Sequence, residues 1–232
     1  MLFSNDDVAK FINQRFEPVW EAVRPVPIVR IDFGSGRVLT RTLHGNIATY
    51  VCSSDGLTLD ILPGIYEPKT YLDRLRQFAM LSWWAKSDET KRADVLKSFH
   101  DKQAKSLEVN GQPLRIVNMD FSKIRIEKAV KFVLLPAAKP TADTTPTDAS
   151  DSDSDAARKL AGWKALAEDT RINETDRRRL IHAKLASDGL VPPGKITKWL
   201  YREVLHADLD DPYLGLGEVL FADYPFRDED AR

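Results

Sequence analysis

Two β-prone runs, NIATYVC and LTLDIL, flank the four residues SSDG at positions 53–56, and no other feature constrains the chain as tightly. An Asp-Gly pair between such runs favours a tight reversal, because the turn needs a positive φ that glycine adopts freely. The spacing predicts a β-hairpin over residues 46–62. Gly64 and Pro68 then break the strand pattern and open a helix on which Tyr71, Leu72, Leu75, Phe78 and Ala79 share a face. Its end, FAMLSWWA at 78–85, is apolar nearly all round and requires burial on more than one side.

Upstream, SNDDVAKFINQRF reads as a helix, with Ser4 or Asn5 as cap, Asp6 and Asp7 at its positive end, and Val8, Phe11 and Ile12 on one face. PVWEAV (18–23) reads as a short strand, PIVRIDF (27–33) as a strand entering the turn GSGR, and VLTRTL (38–43) as its return. Downstream, a helix carrying Val95, Leu96 and Phe99 is expected over 88–105, then a second hairpin at 107–117 through Asn110-Gly111. The run 121–136 fits either a strand or a helix.

PAAKPTADTTPTDASDSDSDA (136–156) has almost nothing apolar to bury, so it cannot offset the entropy of ordering and reads as a flexible acidic linker. Beyond it the pattern turns helical. Leu160, Trp163 and Leu166 would form one buried stripe, and Leu180, Ile181, Lys184 and Leu185 a second. Asn173 or Thr175 would cap that second helix and Gly189 end it. A third helix would bury Ile196, Trp199, Leu200 and Val204. Four segments follow: 1–86, 87–136, the linker 137–155, and a helical domain 156–232.

Composition narrows the function classes. A net charge of -1 gives no global field for nucleic acid or an anionic membrane. One cysteine excludes an intrachain disulfide and a thiolate-rich zinc site. No apolar run approaches the roughly 20 residues that span a bilayer. The N-terminus lacks a signal-peptide pattern, so the chain as written is expected in the cytoplasm.

Chemistry-bearing residues are sparse. Cys52 ends a predicted strand, where a packing role outweighs a thiol role. His44, His100, His182 and His206 are scattered without an i, i+4 pair. In HADLDDP, Asp208, Asp210 and Asp211 beside His206 are weak candidates for a hard cation, but the pattern fails the EF-hand template and reads better as a solvated helix end. DRRRL (176–180) reads as a solvated basic face, able to meet a phosphate, an acidic partner or the acidic linker. FAMLSWWA and YLGLGEVLFADYPF (213–226) either pack on each other or form a patch for another protein; Trp83, Trp84, Tyr213 and Phe221 are the contact candidates. No metal and no cofactor is expected.

FSNDDVAKFINQRFEPVW, NIATYVCSSDGLTLDIL and PGIYEPKTYLDRL together resemble the thioredoxin-like superfamily over residues 3–80. The resemblance implies an α/β fold: a thioredoxin-like mixed sheet, incomplete at its N-terminus, joined here to a small all-α C-terminal domain. It also places Ile47, Ala48 and Thr49 at the substrate edge. Two departures remove the redox apparatus: no CxxC precedes Cys52, and Ala48 stands where the family carries a cis-proline, so a trans bond is expected. The expected function is therefore a non-catalytic module that binds another protein or acts as a scaffold. The alternative is a thiol-disulfide oxidoreductase whose CxxC half is missing from this chain, exported if an N-terminal segment precedes it.

Overall fold

A computed structural model describes residues 2–25, 28–32, 38–42, 47–87, 90–116, 134–136 and 153–215, with Gly34 and Gly36. It is a mixed α/β structure, and each strand pair among the described residues is antiparallel and forms its own two-stranded sheet. Chain order runs α1 (Asp6–Arg15), β1 (Ile28–Asp32), β2 (Val38–Thr42), β3 (Ala48–Cys52), β4 (Thr58–Pro63), α2 (Pro68–Ser87) and α3 (Arg92–Asn110). Then come β5 (Leu114–Ile116), β6 (Leu134–Pro136), α4 (Asp153–Ile172), a π-helical turn (Asn173–Arg177), α5 (Arg178–Asp188), α6 (Pro193–Trp199) and a second π-helical turn (Leu200–Val204).

The hairpin signal at SSDG gives β3–β4. Residues 53–57 join the strands: Gly56 N–H bonds the Ser53 carbonyl at 2.9 Å and Ser53 N–H bonds the Leu57 carbonyl at 2.8 Å, with φ 79° at Gly56. Arg92, at the start of α3, pairs with Asp55 and pins the turn.

β4 is the hub of the molecule. All six of its residues are buried, and three of them feed three different apolar clusters. Leu59 packs with Leu81, Trp84, Leu96 and Phe99; Leu62 with Val8, Tyr66, Tyr71 and Phe78; Ile61 with Ile181, Leu185, Ile196 and Leu200. A register shift between Val51 and Cys52 accommodates Leu59 without a cross-strand partner. The helices of the second half therefore pack directly on a strand of the first.

The second half also bonds to the edge of β4 and to the chain just beyond it; an open edge is a polar row that invites pairing with another chain. Thr58 N–H bonds the Val191 carbonyl, and just beyond the strand Asn173 Nδ2 donates to the Ile65 carbonyl at 2.8 Å. Glu67 N–H donates to Thr170 Oγ1 at 2.8 Å.

Several expectations are corrected. Residues 18–23 form neither strand nor helix: bracketed by Pro18 and Pro25, they have no ladder partner among the described residues, and Val19 and Trp20 stand in solvent. Asn110-Gly111 is a helix stop and not a hairpin turn. Ser106 and Leu107 are buried on a continuing α3, and Gly111, at φ 62°, returns its N–H to the Leu107 carbonyl. Neither Asn173 nor Thr175 caps a new helix, because α4 continues through the π-helical turn into α5 and Asn173 is committed to Ile65 and Arg177. Leu160 and Trp163 are exposed, and among the described side chains of α4 it is Thr170, in the last turn, that is buried and bonded to the body. α4 begins at Asp153, inside the expected linker, whose residues 137–152 lie outside the described ones, as does most of 121–136. No helix among the described residues is long and apolar enough to cross a membrane.

Candidate functional site

A buried ionic cluster sits where β4, α3 and α5 meet. Asp60 and His182 are 0% exposed, Arg178 1% and His100 2%. Burying charge at this depth is costly unless it is paired and hydrogen-bonded. Asp60 meets that condition: Oδ1 accepts the Ile61 N–H at 2.7 Å and Oδ2 accepts Arg178 Nη2 at 2.9 Å. The guanidinium also lies over the Phe78 ring, 5.5 Å from its centroid.

From Arg178 a chain of bonds continues through both histidines. Arg178 Nη2 lies 2.9 Å from His182 Nε2, His182 Nδ1 lies 2.8 Å from His100 Nδ1, and His100 Nε2 lies 3.0 Å from the Leu59 carbonyl. The ends fix the tautomers. A guanidinium only donates, so His182 Nε2 carries the lone pair and its Nδ1 carries hydrogen. A carbonyl only accepts, so His100 Nε2 carries hydrogen and its Nδ1 receives the His182 proton. Both rings are neutral, and every ring nitrogen is used. Phe99 stands edge-on to both rings.

The electrostatics agree with that inventory. Burial pushes the His100 pKa down, against the pull of Asp60. Burial pushes His182 well below its ordinary value, helped by Arg178, His100 and Arg74. For Arg178, burial opposes the charge, but Asp60 and Glu174 overcome it and raise the pKa. Alongside, Arg74 Nε donates to Glu174 Oε2 at 2.7 Å. Two carboxylates thus face two guanidiniums, and the region is electrically balanced. Tyr66 is buried beside this group; desolvation raises its phenol pKa well above the ordinary value, with Glu174 and Asp60 adding to the rise and Arg178 and Arg74 opposing it.

Asp60, His100 and His182 each offer a ligand atom, and these atoms lie within 4.8 Å of one another. That spacing is short enough for a shared cation, yet the donor set does not suit one. Both imidazole lone pairs already accept hydrogen bonds, and Arg178 already supplies the positive charge between Asp60 and His182. The cluster is read as a hydrogen-bonded tie between the two halves of the chain.

Sequence patterning misses this cluster because its members are far apart: Asp60 and Arg178 are 118 positions distant, and His100 and His182 are 82. Two local signals existed. Asp60 interrupts the otherwise apolar LTLDIL, and Arg178 and His182 fall at i, i+4 on one helix face. DRRRL is accordingly not a solvated patch, since its middle arginine lies in the core.

The predicted residues are placed elsewhere. Thr49 Oγ1 and Tyr71 OH are hydrogen-bonded at 3.0 Å, Ala48 pairs with Pro63 and packs against the apolar cluster that holds Ile61, Ile47 is exposed, and the peptide before Ala48 is trans. Cys52 is exposed at the end of β3, and desolvation pushes its thiol up, away from a reactive thiolate. Trp84 lies in the core, whereas Trp83 and Tyr213 are exposed; Phe221 and His44 lie outside the described residues. Asp208 pairs with Arg202, Asp210 with Lys198, and Asp211 Oδ1 accepts the N–H groups of Tyr213 and Gly215. These three carboxylates are committed to local partners and do not converge on a common point.

Comparison with known proteins finds no matching family model, no matching curated protein and no matching solved structure.

Proposed function

We propose that the chain is a non-catalytic module on a thioredoxin-like framework that binds another protein. One contrast carries the reading. The groups best suited to acid–base work, His100, His182 and Asp60, are sealed and bonded to one another, while large aromatic side chains stand in solvent, Trp20 at 86% and Trp83 at 50% exposure. A catalytic acid or base needs a path to substrate. Exposed tryptophan is an expensive side chain to leave in water and a frequent anchor of protein–protein contacts. Under this reading the ionic cluster holds the framework rigid, and the recognition residues are Trp20, Trp83 and Tyr213.

Photo-crosslinking from positions 20 and 83 of the full chain tests the proposal. A recurrent protein adduct is expected, and it should weaken at least tenfold in Trp20→Ser and Trp83→Ser variants that retain the native circular dichroism spectrum. Adducts that are absent, or unchanged by both substitutions, would overturn it.

A further inference from the structure

The proton count of the histidine pair has a consequence for how the two halves stay together. Between a carbonyl that only accepts and a guanidinium that only donates, the four ring nitrogens have places for two protons. A third proton has two destinations. On His100 Nδ1 it would face the His182 Nδ1 hydrogen across 2.8 Å; on His182 Nε2 it would face Arg178 Nη2 across 2.9 Å. Either replaces a hydrogen bond by a donor–donor contact, and each places an imidazolium in a site closed to water. We propose that the His100–His182 pair is an acid-sensitive latch, which locks α5 against α3 and β4 at neutral pH and opens that joint in mildly acidic solution.

Every element around the pair bears on its charge. From β4, Asp60 favours a proton on His100, and from α3 Asp101 does so weakly. From α5 and α2, Arg178 and Arg74 oppose a proton on His182. Glu174, in the π-helical turn, is bonded to Arg74, and Asp60 to Arg178. Asp60, the carboxylate that most favours a proton on His100, already shares its charge with Arg178. Phe78 and Phe99 complete the surroundings without charge.

The sign follows from linkage. Both histidines have depressed folded-state pKa values, while an unfolded histidine titrates near 6.5. Below about 6.5 the open or unfolded form binds protons that the closed form refuses, so the latch is fully engaged above that pH and weakens as pH falls. Each histidine contributes up to about a tenfold change in the opening equilibrium per pH unit.

Native-state hydrogen exchange of the full chain at pH 7.5 and 5.5, corrected for intrinsic rates, reads the latch directly. Protection over residues 96–107 and 178–188 should fall by about 10- to 100-fold at pH 5.5, while α1 (6–15) changes less. In a His100→Gln/His182→Gln variant the pH dependence should flatten, because glutamine keeps a donor and an acceptor without titrating. Equal protection of α3 and α5 at both pH values, a loss as large in α1, or an unchanged pH slope in the double variant would overturn the proposal. Should that variant not fold, the comparison of α5 with α1 in the unaltered chain still decides.

Discussion

Asp60–Arg178 and Asp210–Lys198 are carboxylate–cation pairs of nearly identical length, 2.9 and 3.0 Å, in opposite surroundings. The side chains of the first pair are 0% and 2% exposed, and those of the second 58% and 75%. In water an ion pair gains little, because solvent screens it and two long side chains must be held still. In the core, each charge has lost its hydration and depends on its partner, so removing one leaves the other stranded. Distance alone says nothing about this difference. Burial decides which of two equivalent contacts the fold depends on.

The comparison predicts a graded series, read as shifts in chemical-denaturation stability. Arg178→Ala should have the largest effect, about 3–5 kcal/mol, because it strands the Asp60 carboxylate and unbinds His182. An Asp60→Leu/Arg178→Leu double variant should recover much of that loss; recovery of nothing would mean that the pair contributes more than mutual neutralisation. Asn173→Ala comes next, at about 1–3 kcal/mol, since it leaves the Ile65 carbonyl without its donor and Arg177 without its acceptor. Gly111→Ala should cost about 1–2 kcal/mol through backbone strain alone, because φ is 62° and a Cβ there meets open space. Asp210→Asn should leave the unfolding midpoint unchanged, and a measurable loss there would break the contrast.

The legible parts of the chain were those settled by neighbours in sequence. The Asp-Gly reversal, the α2 face with Tyr71, Leu75 and Phe78, the Gly189 stop and the stripe Ile196, Leu200, Val204 all depend on spacing within one element. What misled was tertiary. Asn110-Gly111 suits a hairpin or a helix end equally, and the burial of Leu107 selected the second. Leu160 and Trp163 show helical spacing, but among the described side chains of α4 the buried one is Thr170, further along. The buried cluster is the extreme case. HADLDDP gathers acidic residues in sequence and keeps them on the surface, whereas Asp60, His100, Arg178 and His182 are scattered in sequence and meet in the core. Neither composition nor period reveals which charged residues will lose their water; only the chain path does.

The junction contains two neutral imidazoles in fixed and opposite tautomers. A two-dimensional ¹H–¹⁵N spectrum of the histidine side chains at pH 7 tests this arrangement most directly. Hydrogen is expected on Nδ1 of His182 and on Nε2 of His100, with both rings neutral. His182 carrying its hydrogen on Nε2, or either ring appearing as imidazolium at pH 7, would contradict it.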